Sequence, residues 1–448
     1  MARTEFDAII MGAGLAGSAA AILLARAGWQ VALVEKQRFP RRKVCGECLA
    51  ASNFPLLDAL GIGSEFGAAA GPPLRRFALM RGRRTVFADL PPAGSPHAWG
   101  RALGRETLDS LLLEKARQAG ATVLQPWSVL ALRGGAGDHH CDVRAVGNSD
   151  FLTLHAPVLI AAHGSWEALP SDRPARRARQ GSSADLFAFK ANFRNASLPA
   201  GLLPVLSFPG GYGGMVLADG GTTTLACCVR ADRLEACRRD APGLAAGEAV
   251  ERMLRRECTG VGQALANACR DGPWLASGPI DPGIRLRADE HFFRIGNAAG
   301  EAHPIIGEGM SMALQSAFLL CGRLLALSGC ADNGFAEQPA SRGVQWQRAV
   351  QLAYTNEWRR HFSGRLTLAA GFAQLAMRPR LLALPMGLLR LFPSLLTQGA
   401  RWAGKVTTAP SNASVQRLAG TVNMPQSNLP SPSSHVPTPS LPIYKEPI

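Results

Sequence analysis

Residues 6–36 leave few choices of fold. FDAIIM (6–11) is a short apolar run of strand length. The glycine turn Gly12-Ala13-Gly14-Leu15-Ala16-Gly17 follows, and SAAAILLARAG (18–28) reads as a small-residue helix ending at Gly28. VALVEK (31–36) is the next strand and carries Glu35. Strand, glycine turn, helix and second strand make a βαβ unit, which predicts an α/β fold on a parallel sheet. The glycines let backbone meet a pyrophosphate at a helix N-terminus, and the later carboxylate takes ribose hydroxyls. This unit alone leaves FAD and NAD undecided.

The rest of the chain alternates strand and helix signals. GRETLDSLLLEKARQAG (104–120) is helical and ATVLQP opens a strand. FLTLHAPVLIAAHG (151–164) reads as a strand pair, and residues 207–232 as a glycine-turned hairpin. Residues 245–269 and 310–405 read as helical. From Thr407 onward Pro, Ser, Thr and Asn dominate, too polar to bury a core. The division expected is an FAD-type domain (1–72, 98–170, 276–330), a substrate domain (73–97, 171–275), a helical region (331–405) and a disordered tail (406–448).

Lys and Arg outnumber Asp and Glu by 48 to 33, a net charge of +15. Such a balance suits an anionic partner: nucleic acid, membrane surface or anionic cofactor. No zinc-finger or RNA-binding signature is present, so the expectation is no nucleic acid. The ten cysteines lack framework spacing. Cys45 and Cys48 form a single CxxC, with no second pair to complete a metal site. Free thiols point to the cytoplasm. The N-terminus reads as a strand start rather than a leader, and no charge-free run of spanning length occurs.

GAGLAG with Glu35, the Arg105-Glu106-Thr107-Leu108-Asp109 helix start and the late GNAAGEAHPIIGEGM stretch (296–310) together carry a family likeness. The chain resembles the flavoprotein superfamily of p-hydroxybenzoate hydroxylase, the ubiquinone-pathway hydroxylases and the geranylgeranyl reductases. The resemblance implies a three-layer FAD domain interleaved with a mixed-sheet substrate domain, then a helical C-terminal region. It assigns FAD contacts to Gly12, Gly14, Leu15, Ala16, Gly17, Glu35, Lys36, Arg42, Arg105, Gly296, Asn297, Gly307, Gly309 and Met310. Pro304 to Gly309 would lie along the flavin ring, with Pro304, Gly307 and Cys45 at the reacting centre. A helix opening near Gly309 would aim its positive end at the pyrimidine side.

Two departures matter. Asn297 stands where the family usually has Asp, and can still accept a ribityl hydrogen bond. Ala161-Ala162-His163-Gly164-Ser165 stands where the monooxygenases carry Asp-Gly, which questions the use of NADPH or NADH. FPRRKVCGECLA (39–50) is similar to the reductases' PR.K.CG segment, and FPGGYGG (208–214) to their PGGYG turn. The latter would give substrate-pocket residues Tyr212, Gly213 and Met215. Cys45, flanked by Arg41, Arg42 and Lys43, is either a proton-shuttling or redox-sensing thiol or a small packed residue. The cationic trio meets phosphates, a substrate's acidic head or only solvent. A Cys45–Cys48 disulfide is the least favoured reading. The related halogenases' WxWxIP segment is absent.

Leucine-dense residues 381–404, broken by Pro385 and Pro393, are read three ways: an interfacial membrane segment, the roof of a substrate tunnel, or core packing. The expected activity is an FAD-dependent monooxygenase acting on a small apolar aromatic, polyketide or lipid. A double-bond reductase and a flavin-binding redox sensor remain alternatives.

Overall fold

The computed structural model describes residues 3–93, 98–165, 181–287, 290–328, 343–378, 391–392, 394–401, 410–411, 413–416 and 418. The leucine run 381–390 and most of the polar tail lie outside the described residues.

Chain order fixes the labels. β1 (Ala8–Met11), α1 (Leu15–Arg26) and β2 (Val31–Val34) form the expected unit. β3 (Arg76–Arg81) and β4 (Arg84–Asp89) make a hairpin, and α2 (Arg105–Gln118) leads into β5 (Thr122–Leu124). β6 (Trp127–Gly135), β7 (Asp138–Ala145) and β8 (Phe151–Ala156) form an antiparallel meander, followed by β9 (Val158–Ala161). Next come β10 (Leu186–Arg194), β11 (Leu202–Phe208), β12 (Gly211–Leu217) and β13 (Thr223–Arg230). Helices α3 (Ala231–Asp240), α4 (Ala246–Glu257) and α5 (Thr259–Ala264) precede β14 (Cys269–Ile280) and β15 (Phe293–Arg294). The chain then enters α6 (Gly309–Ser328), α7 (Val344–Ala376) and α8 (Ser394–Ala400).

A five-stranded parallel sheet, ordered β15-β9-β1-β2-β5, forms the middle of three layers. Its three central strands β9, β1 and β2 are buried on both faces, which is why they read as nearly unbroken apolar runs. One face packs on α1, α2 and α6 through Ile10, Leu33 and Ile160. The other packs on the β6–β8 meander through Ile9, Met11, Cys141 and Val143. The small residues of α1 are nearly all buried and let α6 and α2 approach closely. Helix α6 is long and apolar enough to cross a membrane, but two-thirds of that window (67%) is buried, so it serves here as core.

A second, seven-stranded mixed sheet is ordered β14-β10-β13-β12-β11-β3-β4. Its outer face carries α3 to α5 on a core that includes Phe189, Phe193, Met215 and Leu254. Its inner face is turned toward the loop that follows β2 and toward the end of α7.

Two sequence expectations need correction in detail. The 151–164 strand pair belongs to two different sheets. Pro157 between β8 and β9 has no N–H to continue a ladder, and the chain changes layer there. Residues 207–232 are more than a hairpin. The turn is at Pro209–Gly210, Gly210 having φ +73°, and β11, β12 and β13 form a three-stranded antiparallel run.

Candidate functional site

The turn after β1 is built for an anion. Gly12 has φ +102°, and a Cβ there would lie 2.7 Å from the Ala162 carbonyl oxygen. A Cβ on Gly17 would lie 1.8 Å from the Gly12 carbonyl. These two glycines therefore serve packing. Gly14 differs: the nearest atoms to a Cβ would be Arg105 Nη2 at 3.8 Å and Arg41 Nη2 at 4.0 Å. It caps α1 with no side-chain hydrogen bond, so the first amides of the helix have no side-chain acceptor.

Carboxylates and cations alternate around this cap. Glu35 accepts the Ala13 N–H (2.9 Å) and the Gln37 N–H (2.9 Å), which fixes its side chain at the end of β2. Arg41 lies 3.8 Å from Glu35 and 3.7 Å from Asp109. Arg105 donates twice to Asp109, at 2.8 Å each. Burial opposes the Arg105 charge, and Asp109 and Cys45 together more than restore it, so this guanidinium is held charged. Lys43 comes within the same group, its Nζ 3.6 Å from where a Gly164 Cβ would stand. Burial, then the charges of Arg105 and Arg41, lower its pKa to about 8. Three cations around a side-chain-free cap suit a pyrophosphate, and Glu35 suits a ribose, so these residues fit FAD.

The late glycine stretch lies against the same turn. A Cβ on Gly296 (φ +60°) would meet Ala16, and the Gly296 N–H donates to Ser316 Oγ (2.8 Å). Asn297 donates weakly to Glu301 (3.4 Å), and its carbonyl accepts from Arg285 (2.7 Å), which leaves its amide oxygen for a hydroxyl. Pro304–Ile306 is a tight turn closed by Gly307 at φ +63°, and α6 opens at Gly309. Pro304 and Gly309 are exposed, whereas Ile306 and Met310 are buried beneath them. Leu15 and Ala16 are buried in the first turn of α1, and Lys36 is exposed just past Glu35.

Residues 41–45 alternate between the two sheets. Arg41, Lys43 and Cys45 turn to the nucleotide side; the Arg105 guanidinium and the Glu47 N–H (3.4 Å) both bond the Cys45 sulfur. Val44 joins the inner face of the seven-stranded sheet. Arg42 spans both bodies, pairing with Glu106 of α2 (2.9 Å) and with Asp271 of β14. Arg42, expected at the cofactor, is engaged in this inter-sheet clamp, while Arg41 lies beside Glu35 and Asp109. Cys45 and Cys48 form no disulfide.

The expected substrate-pocket residues lie on two different faces of the sheet. Strand alternation puts Tyr212 on the inner face, whereas Met215 lies in the outer core. Gly213 shares the outer direction, where a Cβ would lie 2.8 Å from Cys227 Cβ. Tyr212 joins an apolar cluster of Leu186, Ala188, Val44, Ile305 and Met377. Its hydroxyl is 3.3 Å from His303 Nδ1 and also bonds Cys228. Burial raises the Tyr212 pKa well above 10 and lowers that of His303, so a neutral phenol faces a neutral imidazole. His303 was not singled out in the sequence, although it directly precedes Pro304. Neither were Glu47, Lys190 and Thr224: Glu47, at φ +57° and buried, accepts from the Arg105 N–H (2.9 Å), from Thr224 Oγ1 (2.6 Å) and from Lys190 Nζ.

A family model described as FAD binding domain matches residues 5–342. Over 168 residues the chain is 32% identical to menaquinone reductase of Mycolicibacterium smegmatis, covering 37% of this chain and 39% of that protein. It is also 36% identical over 129 residues to kynurenine 3-monooxygenase of Stenotrophomonas maltophilia, covering 25% and 26%. The chain thus spans about two-fifths of the menaquinone reductase's length or less of these relatives. The myxobacterial chondrochloren halogenase superposes with a TM-score of 0.69 at 18% identity, over 94% of this chain and 97% of that one. A geranylgeranyl bacteriochlorophyll reductase-like protein from Thermoplasma acidophilum gives 0.65 at 16% identity, over 92% and 95%. At such identities the two structures speak for the fold alone.

Proposed function

The chain belongs to the FAD-binding-domain family, and we propose that it is an FAD-dependent oxidoreductase that hydroxylates an apolar phenolic ring as a monooxygenase. The observation that carries this reading is the Tyr212–His303 pair in an otherwise apolar cluster beside the Pro304–Gly309 turn. Bound FAD supplies the two-electron and oxygen chemistry. The chain's own part is to hold the cofactor's phosphates with Arg41, Lys43 and Arg105, exclude water around the ring, and manage one proton. Ionising a phenol makes its ring a better nucleophile. The proton released would pass through the Tyr212 hydroxyl toward Nδ1 of His303; burial keeps this imidazole neutral and disfavours its holding the proton, so it would relay the proton onward rather than store it. Similarity to kynurenine 3-monooxygenase supports the reaction type. NADPH or NADH is the proposed electron donor.

A second reading is favoured by a different observation. Cys45 lies beside Arg105 on the loop next to the nucleotide turn, and the chain is similar to menaquinone reductase over 168 residues. It supports reduction of a double bond in an apolar substrate, with Cys45 near the proton delivered.

The test uses FAD-loaded protein with NADPH in air and 5-pentadecylresorcinol. Product heavier by one oxygen, lost in His303→Ala, is expected. An unsaturated lipid heavier by two hydrogens, with the resorcinol untouched, would replace the first reading with the second.

A further inference from the structure

On the outer face of the seven-stranded sheet, helices α3 and α4 pack on β13 and β14. Over β11, β3 and β4 the sheet instead lines a cleft of about 670 Å³, a size that holds a drug-sized molecule. Met80, Leu202 and Met215 line it from the sheet, Phe87 from the edge strand β4, and Ala264 from α5. Gly260 of α5 leaves room for the Met80 thioether, which a Cβ there would meet at 2.5 Å. Backbone bonds hold the rim. The Gly201 carbonyl accepts the N–H groups of Arg75 (2.9 Å) and Arg76 (3.1 Å), and the Ser197 N–H donates to the Ala264 carbonyl (2.7 Å). Residues 197–201 are thereby tied to β3 and to α5, and Pro72, Pro73 and Pro199 stiffen the same rim. Met215 lies on the outer face and Tyr212, three residues earlier on β12, on the inner one, so the sheet separates this cleft from the Tyr212–His303 pair.

The charge of the cleft has one sign. Among the described residues no Asp or Glu lines it, whereas Arg75 and Arg76 do. Arg76 stands opposite Asp89 in the β3–β4 register, yet its guanidinium lies over the Phe87 ring, 5.0 Å from the centroid. Arg75 lies over the Trp99 ring at 4.7 Å. Neither guanidinium has a carboxylate partner among the described residues. A guanidinium stacked on a ring keeps its N–H edge for bidentate contact with a carboxylate. A thioether and an aromatic edge beside it suit a flat aromatic body. We infer that this cleft is a second binding site, for an aromatic carboxylic acid. The carboxylate sits on Arg76, and the ring system lies over Met80 and beside Phe87. This site is independent of the reaction proposed for the inner face.

Calorimetric titration of FAD-loaded protein with biphenyl-4-carboxylate tests it, with biphenyl-4-carboxamide and decanoate as comparisons. The aromatic carboxylate is expected to bind about tenfold or more tightly than either, since a hydrogen bond to a charged group is lost in the amide and the ring contacts are lost in decanoate. Arg76→Gln, at an exposed position, is expected to weaken the carboxylate about tenfold and leave the amide unchanged. Ala200→Trp, on the exposed turn of the rim, fills the cleft and is expected to abolish binding of all three. His303→Ala, on the other face of the sheet, is expected to leave binding intact. Equal affinity for carboxylate and amide overturns the inference, as does binding that survives Ala200→Trp and is lost in His303→Ala. Decanoate binding as tightly as the biphenyl acid overturns the aromatic class of ligand. No binding of any of the three overturns the site itself, and a dimer in sedimentation that Ala200→Trp dissociates would give the cleft to a second copy of this chain.

Discussion

Lys190 of β10 is paired with Glu47, 143 residues earlier in the loop that carries Cys45, and the two are 1% and 2% exposed. One ion pair thus joins the inner sheet face to the start of α2, since Glu47 also accepts the Arg105 N–H. Removing one partner strands the other charge. Lys190→Met is expected to cost about 3–5 kcal/mol of stability. The double variant Glu47→Gln, Lys190→Met should recover most of it. Denaturant unfolding of the FAD-loaded proteins measures both, and a single variant as stable as the parent would show the pair to be idle.

Two glycines of the first turn predict different failures. Gly14→Val is expected to fold and to purify without bound FAD, because its side chain fills the space beneath Arg41 and Arg105. Gly17→Val is expected to misfold, since its Cβ would meet the Gly12 carbonyl. Circular dichroism with the flavin absorbance separates them. A folded Gly14→Val protein that retains a full complement of FAD contradicts the placement of the phosphates.

Glu35→Ala should weaken FAD by about 1.5–3 kcal/mol, the worth of hydrogen bonds to a charged group. It should also lower apoprotein stability by about 1–3 kcal/mol, because the Ala13 N–H is buried without an acceptor once the carboxylate is gone. Glu35→Gln is expected to spare much of the second loss. Fluorescence titration with FAD gives the first quantity and thermal unfolding the second; unchanged FAD affinity would remove Glu35 from the ribose.

Lys43 gives a pH dependence whose direction differs between apoprotein and holoprotein. Its pKa is about 8 in the fold against 10.5 when exposed. Below pH 8 both folded and unfolded chains hold the proton, and the fold bears the full cost of enclosing it. Between about 8 and 10.5 the folded chain sheds it first, so this residue's contribution to apoprotein stability rises with pH. A pyrophosphate favours the ammonium, so FAD affinity should fall as pH rises through 8. Lys43→Met is expected to flatten both trends. Parallel titrations of parent and variant isolate the residue, and identical FAD affinity profiles would contradict its contact with the cofactor.

What was legible in the sequence had local causes. The βαβ unit is set by residues 6–36, so glycine spacing and apolar periodicity reveal it. The Arg105 helix start and the Pro304–Gly309 turn are equally short-range. How the trio Arg41, Arg42 and Lys43 divides between the two sheets had no local signal, because the segment belongs to no regular strand and its partners Asp109, Glu106 and Asp271 lie far along the chain. Met215 and Gly213 are different: alternation along β12 was available, but the PGGYG segment was read as a turn when Tyr212 is already in the strand. The Glu47–Lys190–Thr224 cluster had no local signal, since its members come from elements far apart in sequence. His303 was visible beside Pro304, yet only its distance to Tyr212 gives it a role.

The division of residues 41–45 makes the length of that segment more constrained than its composition. Along this irregular segment Arg41, Lys43 and Cys45 go to one body, Val44 goes to the other, and Arg42 bridges the two. Deleting one residue before Arg41 would shift the assignments by one place, sending a nucleotide-side cation to the clamp and the thiol toward Val44's place. Relatives and engineered variants that tolerate lysine for arginine here should therefore still refuse a single-residue insertion, and a frame count from Glu35 to Glu47 would predict which of them assemble the site.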